Sequence, residues 1–63
     1  MSNDYNVSRA EELIDAILKY ADDRGIDTDF IDSIESQIAE KDWVSDGQLA
    51  ALENIVNSFN IPV

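Results

Sequence analysis

Sixty-three residues make one small domain, in which 14 Asp and Glu against 4 Lys and Arg leave a formal charge of −10 at pH 7. That balance excludes most nucleic-acid binders, because neutralising phosphates takes a surplus of Lys and Arg. The chain has no His and no Cys, which excludes zinc sites, disulfides, thiol nucleophiles and imidazole acid/base chemistry, while an apolar fraction of 44% supports a globular core rather than a disordered acidic tail.

Residues 1–7 read as an N-terminal arm. Met1-Ser2-Asn3-Asp4-Tyr5 is polar, without the basic start and apolar run of a secretion signal, and no segment reaches the ~20 apolar residues that span a bilayer. A soluble cytoplasmic protein is the expectation.

The first helix is predicted over about 8–24. Ser8-Arg9-Ala10-Glu11 has the form of a capping box, in which the serine hydroxyl and the glutamate carboxylate satisfy each other's backbone amides. At about 100° per residue, Ala10, Leu13, Ile14, Ile17, Leu18, Tyr20 and Ala21 share one face, with Glu11, Glu12, Asp15, Asp22 and Asp23 opposite. Gly25 supplies a left-handed stop, and Ile26 is placed to fold back on the last turn.

The second helix is predicted over about 28–41, capped by Asp27 or Thr28, with Phe30, Ile31, Ile34 and Ile38 inward and Asp29, Asp32, Glu35, Ser36 and Glu40 outward. The third, about 45–60, opens on a second capping box, Ser45-Asp46-Gly47-Gln48, with Val44 stapled onto Leu49. Leu49, Leu52, Val56 and Phe59 form its buried face, Ala51 and Ile55 its flank, and Trp43 is placed to cap the core from the preceding loop. Asn60 and Pro62 end it. Three amphipathic helices with short turns, and no alternating strand pattern, predict an all-α three-helix bundle.

The charge is uneven. Thirteen of the 14 acids lie between Asp4 and Asp46, and the last 17 residues carry only Glu53. Helix three instead shows Gln48, Asn54, Asn57, Ser58 and Asn60 beside Ala50, Ala51 and Ile55, a neutral face with little charge to desolvate against a partner. The same neutrality also spares the bundle added repulsion. Glu11, Asp15 and Asp22 form a row on helix one, and Asp29, Asp32 and Glu35 form a cluster on helix two. Like charges at i, i+4 repel, so the acids have three readings: mimicry of a phosphate row, steering toward a basic protein, or solubility alone.

Other chemistry fits less well. A calcium loop has no register, because a start at Asp27 puts Asp29 at position 3 but Ile31, Asp32 and Ile38 at positions 5, 6 and 12. Carboxylates on outward helical faces lack a cleft for hydrolysis, and a bundle this small has little room for a pocket of ~300 Å³. No catalytic residue, cofactor or metal is therefore assigned. Asp32-Ser33-Ile34 resembles the Asp-Ser-Leu element of acyl carrier proteins, which implies Ser33 as a phosphopantetheine attachment site. The family's long first loop is replaced here by about three residues, and Ser33 falls inside the second helix.

Phe30-Ile31-Asp32-Ser33-Ile34-Glu35-Ser36-Gln37 and Trp43-Val44-Ser45-Asp46-Gly47-Gln48-Leu49-Ala50-Ala51-Leu52-Glu53-Asn54-Ile55 together resemble a helix-turn-helix element of small accessory proteins of tailed bacteriophages. The likeness covers about half the chain and rests on the capping box and the leucine spacing. It implies a phage-type accessory protein and assigns no catalytic residue. The combined expectation is a noncatalytic module that docks on a basic protein surface through Glu11, Asp15, Asp22, Asp32 and Glu35, with Trp43, Ala51 and Ile55 giving the apolar contact. The alternative is a structural module that forms a homo-dimer through helix three.

Overall fold

The computed structural model of the protein describes residues 4–63, and within them it is an all-α bundle of three helices: α1 (Asp4–Arg24), α2 (Asp29–Lys41) and α3 (Asp46–Ser58). At 1.5 Å per residue the 21 residues of α1 extend about 31 Å, which sets the long dimension of the 36 × 18 × 16 Å molecule.

Two contacts fix the helix directions. At one end Asn6 Nδ2 donates to Asp46 Oδ1 at 2.7 Å and to the Val44 carbonyl at 3.4 Å, joining the starts of α1 and α3. At the other, Arg24 Nη1 donates to the Phe59 carbonyl at 2.9 Å, joining their ends. Helices α1 and α3 therefore run parallel, with α2 returning antiparallel to both. Helix α1 is the hub and packs against both partners, while α2 and α3 approach each other less closely.

The start of α1 differs from expectation. Ser8 caps nothing: it is an exposed residue inside the helix, which already includes residues 4–7 of the expected arm, and residues 1–3 lie outside the described residues. The cause is tertiary. Val7 continues the stripe of Ala10 and Ile14 one step toward the N-terminus and is buried, and the Asn6 contacts tie that turn to the α2–α3 loop.

The stops behave as their residues demand. Gly25 takes φ +66°, and the Ile26 amide donates back to the Ala21 carbonyl at 3.0 Å. Asn60 takes φ 53°, its amide donates to Asn57 and the next amide, of Ile61, donates to Val56, so Ile61 folds under the bundle and is buried. Asp42, just past α2, adopts φ 52° without glycine's freedom. At the start of α2 it is Asp27 whose carboxylate accepts the Asp29 amide at 3.0 Å, whereas Thr28 holds the cap position without a side-chain bond. The Ser45–Gln48 box forms as expected, with amide-to-side-chain distances of 3.1 and 3.0 Å.

The core gathers Leu13, Ile14 and Ile17 of α1, Ile31 and Ile34 of α2, Leu49, Leu52 and Val56 of α3, and Val44 and Ile61 from the loop and tail. Among the described residues no polar side chain is buried and none lacks a hydrogen-bond partner in the interior. Three residues expected inside are exposed: Leu18 (39%), Phe30 (42%) and Trp43 (46%). Each has a positional reason. Leu18 and Phe30 sit at the edges of their stripes, where a bundle of three helices leaves flanks uncovered. Val44 takes the buried place in the loop, leaving Trp43 turned outward.

Candidate functional site

Helices α1 and α2 run antiparallel, which brings the middle of one beside the C-terminal half of the other. Between them lies an open groove of ≈ 340 Å³ lined by Glu11, Ile14, Asp15, Leu18, Glu35, Ile38 and Ala39. Residues 11, 15 and 18 are one helical turn apart in succession, so they stand in a row along the α1 bank. Glu35 and Ala39, again one turn apart, form the α2 bank. Ile14 and Ile38 lie deeper and belong to the core or pack against it. The floor is aliphatic and the rims are anionic.

This corrects two expectations. Glu11 and Asp15 do not face away from the apolar stripe; they border it at the seam with α2. The bundle also does hold concavities of the size that seemed too large for it, this one and a second of ≈ 330 Å³ lined by Glu12, Asp15, Ala16, Lys19, Tyr20, Pro62 and Val63. Both are open to solvent, the first being the groove between α1 and α2. Glu11, Asp15 and Glu35 are all exposed along its rims.

The groove's three carboxylates have no cation among the described residues lining it. Arg9 is paired with Glu12, and Lys19 and Arg24 lie 6.0 and 5.8 Å from the centroid of the Tyr20 ring. Lys41 is six residues past Glu35 and points about 120° away around α2.

Of the other expected site residues, Asp22 extends the α1 row one turn past Leu18, and Asp32 precedes Glu35 by one turn on α2. Both are exposed and flank the groove at its α1–α2 turn end without lining it. Ala51 and Ile55 are half-buried one turn apart on α3, with Ile55 packed on the core. Trp43 lies on the loop before α3, where its carbonyl accepts from Gln37 Nε2 at 3.1 Å. None of these three lines either groove. The aliphatic residues that line the acidic groove are Ile14, Leu18, Ile38 and Ala39, which sequence reading assigned to the core or left unassigned. The exposed spacing Glu11–Asp15–Leu18–Asp22, an aliphatic residue set in an acidic row, was the available signal.

Ser33 is exposed in the second turn of α2, and its hydroxyl donates to the Asp29 carbonyl at 3.2 Å, a local helix bond. Among the described residues no cluster of three or more His, Cys, Asp or Glu is arranged to hold a metal ion, and no helix is long and apolar enough to cross a membrane. No family model, curated protein or solved structure matches the chain.

Proposed function

We propose that this protein is a noncatalytic binding module that docks on a basic surface of another protein and thereby blocks or redirects it. The observation that carries this reading is the convergence of Glu11, Asp15 and Glu35 around an aliphatic floor with no cation among the described lining residues. Exposed ion pairs alone give little affinity, about 0.2–1 kcal/mol each, so a lasting contact needs apolar area beside them. The groove supplies both. An accessory role of the phage type suits such a module.

Mimicry of a phosphate row is less well matched, because Leu18 stands where the row of Glu11, Asp15 and Asp22 would need its next charge. Self-association through α3 also finds less support: Leu49, Leu52 and Val56 point into the core, leaving Ala50, Asn54, Asn57 and Ser58 on the outer face.

Affinity capture from the native cell lysate tests the reading, using the wild-type protein and the Glu11→Lys, Asp15→Lys, Glu35→Lys triple variant. The wild type is expected to recover a protein rich in surface Lys and Arg that is lost at high salt and absent with the variant. A partner retained equally by both proteins and at high salt would contradict it.

A further inference from the structure

Resting on that reading, we infer that the groove between α1 and α2 takes a single cationic amphipathic helix of the partner, its aliphatic stripe seated on Leu18, Ile38 and Ala39 and its Lys or Arg side chains reaching Glu11 and Asp15 on one bank and Glu35 on the other.

The shape of the occupant follows by elimination among the ways proteins hold peptides. An extended peptide binds by adding a strand to an open sheet edge, and the two banks are helices whose backbone groups are bonded internally. A polyproline segment needs an aromatic-lined groove, and no aromatic residue lines this one. A helix laid in a groove remains. From Glu11 to Leu18 the α1 bank runs about 10 Å, two turns of a helix, which matches aliphatic anchors at i, i+4 and i+7.

The chemistry of the occupant follows from charge. Three carboxylates at the rims face a partner that must bring cations on both sides of its apolar stripe. A second copy of this chain does not fit, because the molecule carries −10 and its most neutral helix, α3, has no Lys or Arg. A purely polar cationic surface, of the kind shaped for phosphates, would leave Leu18 and the floor without a partner.

The test uses two synthetic peptides of about 18 residues with the same composition of Leu, Lys and Ala. One carries leucines spaced i, i+4 and i+7; in the other they are scattered around the helix. Isothermal titration and methyl NMR are run on the wild type, on Ala39→Arg, and on the Glu11→Gln, Asp15→Asn, Glu35→Gln triple variant. These positions are exposed, and circular dichroism confirms that each variant keeps its helices. The patterned peptide is expected to bind at least about tenfold more tightly than the scattered one and to shift the methyls of Ile14, Leu18 and Ile38. Ala39→Arg and the triple variant should each weaken it by about tenfold, the triple by summing three exposed ion pairs. Equal affinity for the two peptides, or shifts confined to other surfaces, would overturn the helix-in-groove inference while leaving acidic docking intact. Binding of neither peptide would overturn both.

Discussion

Gln37 on α2 and Gln48 on α3 exchange two amide hydrogen bonds, Gln37 Nε2 donating to Gln48 Oε1 at 2.8 Å and Gln48 Nε2 donating to Gln37 Oε1 at 3.1 Å. The same Gln48 closes the Ser45 capping box, and the same Gln37 holds the Trp43 carbonyl. One side-chain pair thus bridges two helices whose backbones approach less closely than either approaches α1. Gln48→Ala removes the bridge and half of the box and should cost about 1–2 kcal/mol in urea unfolding, against about 0.5–1 kcal/mol for Gln37→Ala. A double-mutant cycle should return a coupling of at least about 0.5 kcal/mol. Strict additivity would mean that the pair does not act as a unit.

Val7 separates a helical N-terminus from a loose arm. Its burial beside Ala10 and Ile14 predicts that Val7→Ala lowers stability by about 1.5 kcal/mol or more, from two methyl groups at about 0.8 kcal/mol each. A change within about 0.3 kcal/mol would place these residues outside the folded unit.

The two glycines should respond with opposite signs. A Cβ at Gly25 meets no atom within 4 Å, so Gly25→Ala is penalised by its φ of +66° alone, at about 1 kcal/mol. Gly47 lies in the first turn of α3, where an added Cβ makes only an ordinary contact at 3.9 Å, and Gly47→Ala should stabilise by about 0.5 kcal/mol. Thermal unfolding of both variants checks the pair, and a loss of stability at Gly47 would contradict the α3 start.

Keeping Glu11 and Asp15 one turn apart costs stability, as does the net charge of −10. Added salt should therefore raise the melting temperature. The Glu11→Gln, Asp15→Asn, Glu35→Gln variant should be more stable than the wild type at low ionic strength, by about 0.5–1 kcal/mol, and the gap should close as salt screens the repulsion. A less stable variant would mean that these carboxylates serve the fold rather than a partner.

What sequence reading recovered and what it missed divide along physical lines. The stops at Gly25 and Asn60 and the Ser45–Gln48 box depend on neighbours within a few residues, and all three form as their residue types require. The inward faces of α1 and α3 followed from period 3.6. The edges did not: whether Leu18 or Phe30 is covered depends on how closely the next helix approaches, which no single-helix pattern contains. Ser8 made a plausible start, but Val7 and Asn6 had long-range partners that drew the helix past it. The acidic row on α1 was visible in sequence, as was Glu35 on α2. Their meeting around Ile14, Leu18 and Ile38 required the antiparallel pairing of the two helices, a tertiary fact.

The central claim is that Glu11, Asp15 and Glu35 make this groove a receptor for a cationic partner. Stopped-flow association of the patterned cationic peptide with the wild type and with the Glu11→Gln, Asp15→Asn, Glu35→Gln variant, across a series of salt concentrations, tests it most directly. The wild-type association rate should fall steeply with salt, while the variant starts slower, depends less on salt and converges with the wild type at high ionic strength. Identical rates and identical salt dependence for the two proteins would contradict the claim.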